Sequence, residues 1–168
     1  LKGACIIEPE KLEDERGFFA RVWDKKEFAK IGPNIEIVQS SISFNKKKGT
    51  FRGMHYQIEP FEETKLVRCT KGRIFDIIID LRPESDTFKK WISVELSEDN
   101  HKILYIPKGF AHGFQTLEDN SEVFYEIAQY YNLDYSRGIR WDDPSFDIKI
   151  PLDISIISKK DLSYPMFE

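Results

Sequence analysis

The chain has 168 residues, with 25 Lys and Arg against 29 Asp and Glu, a formal net charge of −4 and a pI near 5.5. Charges of both signs are interspersed, so no basic block exists to follow a phosphate backbone, and general nucleic-acid binding is excluded. Cys5 and Cys69 lack CxxC or zinc-ligand spacing, the apolar runs fall far short of the roughly 20 residues of a membrane span, and no signal-peptide pattern opens the sequence; it reads as a soluble cytoplasmic protein with reduced core thiols.

The length fits one domain over residues 1–168 with a substantial core. In chain order, the first clear element is a short peripheral helix. It begins at Asp24, whose carboxylate can cap free backbone N–H groups, has Glu27 three residues later, and stops before Gly32 and Pro33. Strands rich in Ile, Val, Phe and Tyr follow at 35–38, 51–57, 65–69, 73–81, 91–96, 103–106, 113–117 and 122–130. The acidic stretch 59–63 around Pro60 is a loop. Lys71-Gly72, Arg82-Pro83, Asp99-Asn100, Pro107-Lys108-Gly109 and Asp119-Asn120 supply turns. Strands punctuated at intervals near ten residues, with no repeat or linker, predict an all-β two-sheet jelly roll in which pairing covers the strand edges. Ser158-Lys159-Lys160-Asp161 fits the capping box of a second short helix.

Polar chemistry collects on the strands. His55 sits among large apolar residues in Phe51-Arg52-Gly53-Met54-His55-Tyr56-Gln57, and His112 follows a Pro-x-Gly turn, whereas His101 lies in a turn and reads as exposed. A strand histidine is often only a hydrogen-bonded core residue. Here Arg52, Lys65, Tyr125 and both histidines fall on inner strands, and that many inward polar groups call for a ligand cavity or a network. A metal would need a His-x-His pair with a further His and a carboxylate; Gln57 stands where the second histidine is required, so no metal is expected. Gly-x-Ser-x-Gly, phosphate-loop and dinucleotide motifs are absent.

Five motifs in order give the chain a family likeness: Asp14-Glu15-Arg16-Gly17-Phe18-Phe19, Arg52 through Gln57, Lys65-Leu66-Val67-Arg68, Ile106-Pro107 through Phe114, and Gly138-Ile139-Arg140-Trp141-Asp142-Asp143-Pro144. On these the sequence resembles the dTDP-4-dehydrorhamnose 3,5-epimerases over nearly its whole length. The resemblance implies a cupin-like jelly roll, a homodimer with exchanged strands, no metal or organic cofactor, and inversion at C3 and C5 of a nucleoside-diphosphate 4-keto-6-deoxyhexose. It makes His55 the general base, Asp161 the carboxylate that orients it, Tyr125 the acid on the opposite face and Lys65 the group that stabilises an enolate oxygen. His112 would line the pocket, Arg16 and Arg52 meet the diphosphate, and Gln39 the nucleotide. Apart from the resemblance, Tyr131, in the same aromatic stretch as Tyr125, is the second candidate for a substrate contact.

The chain departs from the family pattern at Glu126, where a lysine is usual, and at Ala20-Arg21, where an acidic residue is usual. Inversion of a single carbon, another nucleotide, or a silent sugar-binding jelly roll are the alternative readings. Asp161 as a mere helix-start residue, and Tyr125 as ordinary core, are the corresponding structural ones. One geometric demand follows: Arg52 and His55 are three residues apart, so a regular strand would point them to opposite faces. Both reach one pocket only if the strand bulges between them, and Gly53 suits such a bulge.

Overall fold

Residues whose two strand faces are both buried form the centre of the molecule. In Arg73–Asp80 (β7) the run Ile77-Ile78-Ile79 is wholly buried, and in Phe110–Thr116 (β10) every residue is. Strands covered on both sides carry near-continuous apolar runs and not alternation. The structure, a computed structural model, describes residues 1–30 and 35–167. Around β7 and β10 lie Cys5–Ile7 (β1), Lys11–Asp14 (β2), Gly17–Ala20 (β3), Gln39–Asn45 (β4), Phe51–Gln57 (β5), Lys65–Lys71 (β6), Trp91–Ser97 (β8), Ile103–Ile106 (β9), Ser121–Ile127 (β11) and Ser136–Gly138 (β12). They make two five-stranded antiparallel sheets, ordered β1-β9-β6-β11-β4 and β12-β5-β10-β7-β8, while β2 and β3 form a separate hairpin. This is the all-β jelly roll expected from the sequence.

The sheets face each other across Val67, Cys69, Ile74, Ile78, Leu96, Leu104, Ile106, Phe110, Phe114 and Val123. Burial pushes the Cys69 thiol up to about 12, and both cysteines are free. The outer face of the second sheet buries Phe51, Met54, Ile77 and Ile79 against Ile139, Phe146 and Ile148 of the C-terminal segment. That segment returns along β5, with Phe51 N–H donating to the Ile156 carbonyl at 2.8 Å, and ends in the helical turn Lys159–Leu162 (α2). The return matters for chemistry, because it lays residue 161 beside β5. No helix among the described residues is long and apolar enough to cross a membrane.

Several local expectations change. Residues 35–38 are not a strand: Ile35 is buried in a side cluster with Phe28 and Leu66, and pairing begins only at Gln39. The strand β4 (QSSISFN) escapes sequence reading because only two apolar residues, Ile42 and Phe44, alternate among its serines, too short a pattern to mark a strand. The hairpin β2–β3 is exposed along most of its length and shares that fate. The helix begins as expected, with Asp24 accepting from Lys26 N–H at 2.9 Å and Glu27 N–H at 3.2 Å, and spans Lys25–Phe28 (α1); its expected stop at Gly32 and Pro33 lies outside the described residues. His101 is half-buried and not exposed, its ring edge-on to Phe18 at 4.9 Å.

Candidate active site

At one end of the sandwich the inner faces change from apolar to polar. On β11, Val123 belongs to the core, and two residues further on Tyr125 faces a cavity of about 350 Å³; Ile127 lines it in turn. Ser41 and Ser43 of β4, Lys65 of β6, Arg52 and His55 of β5, and His112 of β10 complete the wall, with Tyr131 and Lys160 among its other lining residues. Six of the nine sequence-derived residues therefore meet in one cavity: His55, Tyr125, Lys65, Arg52, His112 and Tyr131.

The seventh, Asp161, stands behind the wall. His55 Nε2 lies 2.7 Å from Asp161 Oδ1, across 106 residues of sequence, and Gly53 N–H donates to Asp161 Oδ2 at 3.3 Å. Both readings of Ser158-x-x-Asp161 hold at once. Ser158 Oγ caps the turn by accepting from Asp161 N–H at 3.0 Å, which leaves the carboxylate for the imidazole. Burial opposes ionisation of Asp161, but the His55 hydrogen bond and charge, aided by Gly53 N–H and Ser158, hold its carboxyl below the usual range. An ionised Asp161 keeps a proton on Nε2 and leaves Nδ1 as the basic nitrogen. His55 itself is 42% exposed, open to a ligand, while Asp161 is 5% exposed.

The bulge demanded by Arg52 and His55 is present. Across from β5, His112 pairs with His55 and Phe114 with Arg52, so three steps on β5 oppose two on β10 and both side chains reach the cavity. Gly53 adopts φ 130°, and a Cβ there would meet Gly113 Cα at 2.5 Å; only glycine suits that close crossing. Arg52 is held by its Nε–H donating to Asn45 Oδ1 at 2.7 Å.

Facing the His55–Asp161 pair, Tyr125 packs edge-on to His112 with centroids 6.0 Å apart. Burial and the Asp76 charge push its phenol well above the ordinary range, with Arg52 and Ser43 only partly offsetting them, so the hydroxyl keeps its proton and can serve as an acid. Lys65 Nζ lies 2.6 Å from Glu63 Oε1, the two side chains being 9% and 11% exposed. The cavity thus holds its ammonium with a counter-charge in place. His112 Nε2 lies 2.5 Å from the fully buried Asp76 Oδ1.

Two sequence-derived residues stay outside this wall. Arg16, at the tip of the β2–β3 hairpin, has an 85% exposed side chain and pairs with Asp14. Gln39 is absent from the lining; its Oε1 accepts from Tyr131 N–H at 2.8 Å and so fixes the loop that carries Tyr131. Glu126 does not crowd the acid, because strand alternation turns it away from the cavity that Tyr125 and Ile127 line. Gln57, where a metal histidine would stand, braces two loops instead, its amide donating to the Phe61 and Tyr130 carbonyls and its Oε1 accepting from Asn132 N–H. No group of three or more metal-holding His, Cys, Asp or Glu side chains occurs among the described residues. Sequence reading missed Asp76 and Glu63. A carboxylate in the middle of the apolar strand Arg73–Asp80 was the signal for the first; the second lies in the acidic stretch 59–63, which was read as a loop.

Comparison with known proteins identifies the family. A family model described as dTDP-4-dehydrorhamnose 3,5-epimerase matches residues 1–168. The dTDP-4-dehydrorhamnose 3,5-epimerase of Shigella flexneri is 43% identical over 168 residues, covering 99% of this chain and 92% of its own. Among solved structures, the Bacillus anthracis enzyme of that name, with TDP and PPi bound, superposes with TM-score 0.94 at 41% identity, covering 98% of this chain and 94% of its own. The dTDP-6-deoxy-D-glucose-3,5-epimerase of Legionella pneumophila in complex with dTDP-4-keto-L-rhamnose gives 0.92 at 36% identity, covering 99% and 88%. A family match along the whole sequence, joined to relatives of more than 40% identity over nearly their full length, means that this chain belongs to the dTDP-4-dehydrorhamnose 3,5-epimerase family of isomerases.

Proposed function

We propose that the chain is a cytoplasmic, homodimeric enzyme that inverts C3 and C5 of dTDP-4-dehydro-6-deoxyglucose, giving dTDP-4-dehydro-L-rhamnose. The observation that carries this reading is the 2.7 Å His55–Asp161 pair, with its half-exposed imidazole, in a cavity whose facing sheet supplies a protonated phenol at Tyr125. A hydrogen on C3 or C5 is α to the C4 ketone. His55 Nδ1 takes that proton, the electron pair passes to the C4 oxygen, and Lys65 Nζ stabilises the enolate charge. Tyr125 then returns a proton to the same carbon from the opposite face, the enolate reverts to the ketone, and the configuration is inverted. The oxidation state of the sugar does not change, so protein side chains suffice for every step. Turnover of dTDP-4-keto-6-deoxyglucose in deuterated water tests the reading directly: deuterium is expected at both C3 and C5. Label at one carbon only would establish the single-inversion alternative, and no label would refute the assignment.

The nucleotide half of the substrate carries a diphosphate, for which Arg52 and Lys160 on the cavity wall supply part of the positive charge. Arg16 is the candidate for the rest, delivered by a second copy. Leu12 and Phe19 of the hairpin are 61% exposed, and Ile42 on the edge strand β4 is 62% exposed; exchange of hairpins between two copies would cover both apolar surfaces. Mixed dimers of Arg16→Ala and His55→Ala chains are expected to recover activity that neither parent has, because one pocket then receives an intact His55 and the other copy's intact Arg16. Mixing without recovery would return Arg16 to its own chain.

A further inference from the structure

Beyond the pairing with Asp161, a second contact bears on the His55 ring. Gly138 of β12 stands directly across from His55 in the strand pairing, so the cross-strand neighbour of the imidazole has no side chain. The ring of Tyr164 fills that place. A Cβ added to Gly138 would overlap three atoms of the Tyr164 ring, and Tyr164 meets His55 edge-on, with centroids 5.9 Å apart and planes at 69°. Tyr164 follows Asp161 by three residues, so the turn capped by Ser158 directs a carboxylate and an aromatic ring at the same imidazole. The phenol oxygen of Tyr164 is buried beside Lys160 and makes no well-aligned hydrogen bond among the described residues, which leaves the ring as the useful part.

A single hydrogen bond fixes one atom of an imidazole but leaves rotation about its outer side-chain bond soft, because that torsion has broad minima. His55 is 42% exposed and has no dense packing of its own to prevent the swing. We propose that Tyr164 is a positioning residue: its ring, admitted by the missing side chain at Gly138, locks the His55 imidazole with Nε2 on Asp161 and Nδ1 toward the substrate. Gly138 is the complementary half of the device. This inference rests on His55 being the base of the proposed reaction.

Tyr164→Ala is expected to lower kcat about 10- to 100-fold, the scale of a small misplacement of a reacting group, with KM unchanged because no substrate contact is removed. Tyr164→Phe is expected to retain wild-type kcat, and Tyr164→Leu, which keeps apolar bulk without an aromatic edge and so guards against simple loss of folding, to resemble the alanine variant. Gly138→Ala should cause a similar loss in the wild-type background and none in the Tyr164→Ala background, since no ring remains to be displaced; two residues acting as one device are non-additive. An independent readout needs no substrate. In protein labelled with ¹⁵N-histidine, the His55 Nε2–H held on Asp161 gives a protected downfield imidazole resonance, assigned by its loss in Asp161→Asn. It is expected to persist in Tyr164→Phe and to broaden or vanish in Tyr164→Ala. An unchanged resonance with wild-type kcat in Tyr164→Ala or Tyr164→Leu would overturn the proposal, as would additive losses at 138 and 164. A resonance that responds as expected in a chain without turnover would support the positioning and overturn the assigned reaction.

Discussion

His55→Ala is expected to lower kcat about 10³-fold or more, at the upper end of what a lost general base costs, because the described residues lining the cavity offer no second unpaired base in its place. The nearest alternative imidazole, His112, is 5% exposed and already committed to Asp76. The fold should survive. The His55 side chain is 42% exposed and fills no core position, while Asp161 keeps its contact with Gly53 N–H after the imidazole is gone. Circular dichroism and the thermal midpoint should therefore stay close to wild type. Deuterium wash-in at both C3 and C5 should fall with turnover, since proton removal precedes every later step. A variant that keeps wash-in while losing inversion would show that His55 is not the base, and near-normal turnover would remove it from the mechanism altogether.

Tyr125→Phe separates the two halves of the reaction. Removing the hydroxyl while keeping the ring is expected to suppress net inversion about 10²- to 10³-fold and to leave proton removal by His55 in place. Solvent deuterium would then enter with retention, returned by the same imidazole that took the proton. The packing should hold, because the ring still meets His112 edge-on and still borders the core around Val123. Burial and the nearby Asp76 push the Tyr125 phenol above its ordinary value near 10, so it remains the protonated form throughout the working range. The pH dependence of inversion should accordingly show no alkaline limb from this phenol below about pH 10. Wash-in and inversion lost together, or both retained, would reduce Tyr125 to a packing residue. The opposed placement of His55 on one sheet and Tyr125 on the other is the reason to expect the split, since inversion needs the proton to leave one face of the sugar ring and return to the other.

Which features could be read in advance follows from how far each signal reaches along the chain. Strands buried on both faces, such as β7 and β10, announce themselves as apolar runs, and their spacing between turns was enough for an all-β two-sheet fold. Polar residues embedded in those runs, His55, Lys65, His112 and Tyr125, stood out because a core tolerates them only in a site or a satisfied network. The demand for a bulge near Gly53 followed from the two-residue strand period once the family resemblance assigned Arg52 and His55 to one pocket, and the register between β5 and β10 meets it. Asp161 was a different case. Its spacing within Ser158-Lys159-Lys160-Asp161 favoured a cap, and only family resemblance pointed to His55.

The tertiary structure decided what lies between distant segments. It laid the C-terminal return along β5, so that residue 161 meets residue 55 and the Tyr164 ring fills the space left at Gly138. It also turned Glu63 inward onto Lys65, seated Asp76 behind His112, and made a serine-rich segment into the edge strand β4. The physical reason is that hydrophobic periodicity is a local property, fixed by which neighbours along the chain share a face. Charge pairing and ring contacts depend on cross-strand register and on where a long segment returns, and neither is written in the spacing of residues along one strand.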